Sequence, residues 1–507
     1  MTTHKKLRAI IAAMTAAGIL CAMPAGFAAE ATPTAAAQPA AQTATAAPAE
    51  TTSKPFAAVR VGKKWGAVTP SGNLAIPAEY DEISSYSADA VAVRKGKTWG
   101  IVRLDGTVIV PAIYKAIHPL AADTIIVQNT KDMYGAYDTA GNVLLPVEHR
   151  SVTPFYDGIS RVERKDKKFV FYRRDGSLLT SDAYLWASWF SEGLAVVEPT
   201  KNKMGYIDTN GSEAIPIRFE NAMIFQEGLA PVAVKKKWGF IDKSGTMVIQ
   251  PQFRAKSIGG FSDGLAMIKE KKHWAFIDKT GAKVIQTRYE DVDSFENGLA
   301  EVRREVKVGL LGGFLTSAVS FATGIPTFGV GTDLIGEKVK RGYIDKTGAE
   351  IISTKNDYNS FFMDGVALVR VKSKWGMVDR KGAYVVEPKY KGIHFFYDDL
   401  AAVQDGDKWG FVGRDGKIVI EPKYDEVHDF TDGIAAVRQG GKSFFIDKTG
   451  RVPFLLPNNI TDIGMFRDGF APVKIGDKWG FIDKKGNIAI APTYAEVRTH
   501  QVTTDSL

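Results

Sequence analysis

Residues Phe466 to Tyr494 read FRDGFAPVKIGDKWGFIDKKGNIAIAPTY. Their reading decides the fold, because most of the chain upstream restates them. Trp479-Gly480 is the anchor, and Gly486 follows the tryptophan by seven residues. The same seven-residue step recurs at Trp65/Gly72, Trp99/Gly106, Tyr134/Gly141, Phe169/Gly176, Met204/Gly211, Trp238/Gly245, Trp274/Gly281, Arg341/Gly348, Trp375/Gly382, Trp409/Gly416 and Ser443/Gly450. These twelve copies stand 34 to 36 residues apart, except for one step of 67 between Trp274 and Arg341. A fixed period of this length marks a repeat array, in which each unit covers its neighbours and none is a domain alone.

The chemistry of one unit can be read in pieces. FRDG, FTDG (Phe430 to Gly433) and FSEG (Phe190 to Gly193) place an aromatic before turn residues, and alternating LAxV-type residues follow as a strand. A polar break such as Lys474 to Lys478 is a hairpin loop, WGFID is the second strand, and DKKG or DKTG turns the chain on a glycine of positive φ. NIAIAP or KIVIEP is the third strand. Proline closes it at Pro77, Pro111, Pro146, Pro216, Pro251, Pro388, Pro422 and Pro492, since proline cannot donate to a central ladder. The unit reads as a three-stranded meander.

Asp stands four residues after the anchor in eight copies, from Asp138 to Asp483. Where Arg103, Arg173 or Gly413 replaces it, a carboxylate reappears two residues later as Asp105, Asp175 or Asp415. That compensation points to turn formation, in which a short carboxylate accepts backbone N–H groups, rather than to catalysis or calcium. Trp65, Trp99, Trp238, Trp274, Trp375, Trp409 and Trp479 read as structural anchors packed in the core. Their replacement by Tyr134, Phe169 and Met204 shows that apolar size matters more than indole chemistry, and the adjacent glycine leaves room for a neighbouring repeat's large side chain. The alternative is a row of sugar-stacking platforms. Lysine precedes the anchor in nine copies, so stacking lines up a candidate basic edge that includes Lys235, Lys236, Lys237, Lys374, Lys408, Lys442 and Lys478. Such an edge either holds anions or is the charged fringe that keeps an exposed strand from pairing with another molecule.

The recurrent KWGFID, FxDGLAxV and EPKY elements resemble the WG-repeat family of bacterial envelope and secreted proteins. The resemblance covers nearly all of the chain after the N-terminal region and departs from the pattern between Met133 and Gly205 and around Arg341. It implies a β-rich repeat array without established catalytic residues, used for binding.

Met1 to about Ala28 has a basic start (Lys5, Lys6, Arg8), an apolar run from Ala9 to Leu20 and small residues at Gly26 and Ala28. This pattern predicts a signal peptide and therefore an exported protein, whether periplasmic, cell-surface or secreted. Residues 29–54 are Ala, Thr, Pro and Gln with almost no large apolar side chain, which predicts a disordered linker. The array occupies residues 55–497 and a polar tail 498–507. The one cysteine, Cys21, falls inside the leader, so the expected mature chain has neither disulfide nor thiolate metal site. With 65 basic against 57 acidic residues, the charge gives no argument for nucleic acid.

Twelve units of three strands exceed the usual blade number of a propeller and fall short of its usual strand number. The array opens on a first-strand sequence, PFAAVRV, and closes on APTY, which leaves no strand to complete the last unit. The expected architecture is all-β, an open solenoid or superhelix, with one or two propeller-like toroids as the alternative. The excess in the long step, about 304–340, includes the uncharged Gly-rich stretch Gly309 to Thr332. It reads as an apolar insertion in a hairpin loop that touches the array, a partner or lipid. A decayed thirteenth copy is the other reading, and no membrane-spanning helix is expected. His118, His149, His273, His394, His428 and His500 lack metal-ligand spacing and read as solvated loop residues, with His394 and His428 brought near each other by their equivalent positions. No nucleophile elbow or phosphate loop is present. The expected function is a non-catalytic exported scaffold, without cofactor, that binds a protein at the cell envelope. A lectin-like or anionic wall-polymer-binding role comes next, and an enzyme whose site the sequence hides comes last.

Overall fold

The computed structural model describes residues 57–305 and 339–499. The expected leader, linker, apolar insertion and the end of the tail lie outside the described residues. Among the described residues the only regular elements are strands.

The strands form twelve antiparallel sheets, one per anchor, and ten of them are blades of four strands rather than the three expected. The sixth blade shows why. Its second, third and fourth strands are Leu229–Val234, Lys237–Asp242 and Met247–Phe253, the meander read from the sequence. Its first strand, Asn221–Ala222, lies just before the FxxG turn and pairs with Ala233 and Val232. Two residues are too short to carry an alternating pattern, so this strand has no signature of its own. The Phe169 and Ser443 copies are weaker: each sheet has three strands, and at the Phe169 copy isolated bridges at Phe169–Tyr184 and Tyr172–Leu178 stand in for the fourth.

The first blade lacks a preceding repeat to supply its first strand. Glu496–Arg498 supplies it instead, pairing Arg498, Val497 and Glu496 with Ala58, Val59 and Arg60. The expected open solenoid is therefore corrected to a closed twelve-bladed β-propeller, and the three residues after Ala495 are the strand the sequence reading found missing. The alternative of one or two propeller-like toroids holds in its single form, because twelve apolar clusters mark twelve junctions without a break. Phe240, Ile249 and Phe253 of blade 6 meet Ile258, Phe261, Ala266 and Ile277 of blade 7. Phe481, Ile490 and Tyr494 of blade 12 meet Ala57, Val59 and Val68 of blade 1.

Each junction follows from the period of WGFID. One face of that strand carries the anchor and the next aromatic, the other carries glycine and isoleucine, and both faces are covered by neighbours. The aromatic two residues after the anchor meets the FxDG aromatic of the next blade edge-on or tilted, at centroid distances of 5.0 Å for Phe240–Phe261, 4.8 Å for Phe276–Phe295 and 4.7 Å for Phe411–Phe430. Such pairs contribute about 0.5–1.5 kcal/mol beyond their buried area.

The anchor glycine has a different role from the one expected. A Cβ on Gly239 would stand 2.4 Å from the Ile249 carbonyl oxygen and 2.8 Å from the Pro251 nitrogen, which belong to its own blade, not to a neighbouring repeat. The fourth strand bulges there: Trp238 faces Phe253 and Phe240 faces Ile249, so three residues oppose the single glycine. Proline sits inside this bulge and does not close the strand, which runs on to the aromatic opposite the anchor. A bulge on an edge strand tolerates the missing N–H. Tryptophan-glycine and the proline are thus two halves of one local device.

Candidate functional site: the eighth blade

The regular blades define the background against which a site stands out. In the turn after WGFID, Asp242 Oδ1 accepts the N–H groups of Ser244 at 2.9 Å and Thr246 at 3.0 Å. The Ser244 hydroxyl, and then those backbone donors, hold the Asp242 carboxyl below its ordinary value. Asp278, Asp345, Asp447 and Asp483 are engaged in the same way, so these aspartates form turns. Among the described residues no group of three or more His, Cys, Asp or Glu side chains is arranged to hold a metal ion.

A second set of carboxylates escaped the sequence reading. The acid of the FxDG turn, in left-handed backbone such as Glu227 at φ 52°, reaches the next blade. Glu192 accepts the Gly228 N–H at 3.1 Å and pairs with Lys243 at 3.1 Å. Glu227 does the same with Gly264 at 3.0 Å and Lys279 at 3.2 Å. Asp432 takes Gly469 at 2.7 Å and Lys484 at 3.8 Å. One carboxylate thus ties both turns of the following blade, and the recurring offset of about one and a half repeats between acid and lysine was the available signal.

Blade 8 departs from this background at several points. Its anchor is Arg341, and its fourth strand is only Glu350–Ile352, with neither the proline nor the closing aromatic. Its second strand, Leu299–Glu305, pairs with its third, Val339–Asp345, so residues 306–338 leave and return at one hairpin. At the base of that hairpin lies a polar network. Arg303 pairs with Glu301 and Asp291, each at 2.9 Å, and with Asp293, while Arg341 pairs with Glu301 at 3.1 Å. The Tyr343 hydroxyl stands 3.4 Å from Glu301. Burial pushes the Asp293 carboxyl above its ordinary value despite Arg303. Burial also pulls the Arg303 guanidinium down, but Asp293, Glu301 and Asp291 outweigh it and leave it raised. The arginine that replaces tryptophan at the anchor, Arg341, thus shares Glu301 with Arg303, which two further carboxylates compensate.

The turns of blade 8 differ too. Asn297 takes the place of the bridging acid, and beside it opens a cleft of about 490 Å³ lined by Asn297, Gly298, Leu299, Asp345, Ile351, Arg380 and Lys381.

The tryptophan anchors all open the third strand of their blades. Trp65, Trp274 and Trp375 are buried, while Trp99, Trp238, Trp409 and Trp479 are partly exposed. Each of Trp65, Trp99, Trp238, Trp375, Trp409 and Trp479 faces the closing aromatic across the ladder, as Trp65 faces Tyr80. Cations from the second strand cover several rings: Arg94 lies 5.7 Å from Trp99, and Lys474 lies 5.8 Å from Trp479.

The seven lysines of the basic edge sit at the hairpin between second and third strands. Lys374, Lys408, Lys442 and Lys478 belong to adjoining blades 9 to 12, and Lys235, Lys236 and Lys237 stand apart on blade 6. Lys408 is neutralised by Asp425, whereas Lys374, Lys442 and Lys478 have no ion-pair partner among the described residues.

The histidines are not all solvated. His149 is buried opposite Tyr134, where other blades place tyrosine, and burial lowers its affinity for a proton. His394 Nδ1 lies 2.7 Å from Asp429, the neighbour of His428 on the adjoining blade, so the expected proximity holds through that aspartate.

Three solved structures illustrate the remote likenesses found. Kluyveromyces lactis Hsv2p is 9% identical, with 44% of this chain and 93% of that one covered and a TM-score of 0.27. BamB from Moraxella catarrhalis is 10% identical, with 59% and 91% covered and a TM-score of 0.29. The WD40 beta propeller domain of Doa1 is 12% identical, with 49% and 92% covered and a TM-score of 0.23. No curated protein matches the chain. The repeat family described as "WG containing repeat" matches at residues 65–99, 99–130, 134–169, 204–238, 238–272, 274–305, 342–375, 375–409, 409–442, 444–479 and 479–499. Those segments account for most of the chain, and the protein belongs to the WG containing repeat family.

Proposed function

We propose that the protein is an exported, non-catalytic scaffold that binds a protein partner at the cell envelope, and that the partner engages the eighth blade. The observation that carries this reading is concentration: a ring built from one repeated device has its arginine anchor, polar network and long interruption on one blade, with an open cleft where that blade meets the next. Repeat folds expose long surfaces on which function is added by local departures from the consensus. The N-terminal residues carry the pattern of an exported chain, which supports the location.

The test is binding of the purified mature chain to isolated cell envelope, compared with a chain in which residues 306–338 are replaced by a two-residue turn. Loss of protease-sensitive binding sites with the fold intact supports the reading. Equal binding by both chains sinks it. A wall polymer is the second reading, favoured by the unpaired Lys374, Lys442 and Lys478. It requires binding that survives protease treatment of the envelope and falls steeply with salt. Fractionation of the producing cells, together with N-terminal sequencing of the mature chain, tests export.

A further inference from the structure

At most junctions where the FxDG acid is present, the chain supplies its own carboxylate to the next blade. Glu192 takes the Gly228 N–H and Lys243, Glu227 takes the Gly264 N–H and Lys279, and Asp364 pairs with Arg414. At the junction of blades 8 and 9 the donors are kept and the acceptor is not. Asn297 occupies the acid's position in the same left-handed backbone, at φ 51°. Arg380 Nη2 donates to the carbonyl oxygens of Glu296 and Asn297, each at 3.1 Å, and its guanidinium lies 4.8 Å from the Phe362 ring. Neither Arg380 nor Lys381 has a carboxylate partner among the described residues, and the Gly365 N–H has no acceptor there. The cleft opens at this place, with Leu299 and Ile351 as its apolar wall. Asp345, which also lines it, keeps Oδ1 on the Thr347 and Ala349 N–H groups of its own turn.

We infer that this cleft receives an Asp or Glu side chain, flanked by an aliphatic residue, from the protein partner, whose carboxylate takes the place that Glu192 and Glu227 fill elsewhere. The inference rests on the scaffold reading and adds to it the chemistry of recognition. Arg380 and Lys381, both in the lining, make a strong carboxylate receptor, because charge-assisted hydrogen bonds are roughly twice as strong as neutral ones. Glu296, the residue before Asn297, offers Arg380 its carbonyl oxygen, and no ion pair joins the two side chains among the described residues.

The experiment is calorimetric titration of the full chain with the blocked peptide acetyl-Leu-Glu-Leu-amide and its Gln counterpart. The Glu peptide should bind about tenfold or more tightly than the Gln peptide, the loss expected for one charge-assisted hydrogen bond. Arg380→Gln should weaken binding by about as much. Asn297→Asp supplies an internal carboxylate, so it should abolish peptide binding and raise Tm. Equal affinity for the two peptides, or an Asn297→Asp chain unchanged in both affinity and Tm, overturns the inference. Free acetate that competes as well as the peptide overturns the peptide source. If Asn297→Asp loses the peptide yet binds envelope as the parent does, the cleft is not the partner's entry, and the scaffold reading stands without it.

Discussion

The guanidinium of Arg498 lies 4.2 Å from the centre of the Trp65 ring, joining the last described strand to the first anchor of the chain. Glu496 adds an ion pair to Arg60 at 3.0 Å, and Val497 packs into the cluster shared by blades 12 and 1. The ladder that closes the ring is therefore three residues long, Glu496–Arg498, backed by the Ala495 N–H on the Arg60 carbonyl oxygen at 3.0 Å and by the apolar cluster of blades 12 and 1. Truncation after Ala495 should leave a folded but less stable array, with a lower Tm in calorimetry and new proteolytic cleavage within blade 1. A truncated chain with the Tm and the cleavage pattern of the parent would show that closure contributes nothing.

That closure also marks where sequence reading stopped. The second and third strands and both glycine turns were legible because alternation and the seven-residue step repeat in phase, and the turn aspartates were legible through the compensation at Asp105, Asp175 and Asp415. The first strand was not. At Asn221–Ala222 it is two residues long, where pairing is set by the neighbouring strand's free edge, and where it reaches six residues, as at Ser257–Ser262, it runs into the FxDG turn, whose residues read as turn and not as strand. Missing that strand made the unit three-stranded and hid Glu496–Arg498, so the array looked open. The proline misled for a related reason: at Pro251 it signals a bulge against Gly239, a feature of pairing rather than of the strand alone. At the candidate site, Arg341 and the long step pointed to blade 8, but Asn297 carries meaning only beside Glu192 and Glu227, whose contacts join different repeats.

The anchor glycine gives a sharp mutational test. Gly239 is not in left-handed backbone, so alanine there meets no φ penalty and its cost is purely spatial. The added methyl would stand 2.4 Å from the Ile249 oxygen, far inside contact distance. Gly239→Ala should destabilise by about 1–3 kcal/mol, the usual range for forcing extra volume into a packed site. Gly228→Ala, with nothing within 4 Å but a φ of 81°, should cost about 1–2 kcal/mol through backbone strain alone. Adding Pro251→Ala should relieve neither loss, because the atoms the Gly239 methyl would meet are backbone and stay when the proline ring is removed. Urea unfolding of the single and double variants decides, and a Gly239→Ala chain as stable as the parent refutes the clash.

Acid sensitivity follows from the turn carboxylates. Hydroxyl partners at Ser244, Thr280 and Thr449 lead the causes that hold Asp242, Asp278 and Asp447 below their ordinary value. Each group then binds a proton more weakly in the folded chain than in the unfolded chain. Its contribution is complete above the unfolded carboxylate value of about 3.9 and is lost as pH falls through the folded value. These carboxylates should make Tm fall below about pH 4, beyond a shallower decline that starts below about pH 6.5, where the unfolded chain protonates His118, His149 and His428 before the folded chain does. Asp278→Ala should lower Tm at neutral pH and flatten the acid fall. An acid limb of unchanged steepness would assign the loss to other carboxylates.

The hairpin at Lys235 and Lys236 separates structure from recognition within the basic edge. Both residues are left-handed, at φ 48° and 60°, a conformation that costs an L-residue about 1–2 kcal/mol and suits asparagine and glycine. The Lys236 N–H donates to Glu220 Oε2 at 2.9 Å, a bond that any residue other than proline preserves. Lys236→Gly should therefore stabilise the protein by about 1 kcal/mol in urea unfolding, less the extra chain entropy of glycine. A destabilised variant would mean that the lysine side chain itself holds the hairpin. Lys374, Lys442 and Lys478, exposed and without ion-pair partners among the described residues, make the complementary case. Their joint replacement by glutamine should leave Tm within about 1 °C, since surface charges contribute little to stability. Any fall in envelope binding by that variant at low salt then reports on recognition and not on the fold.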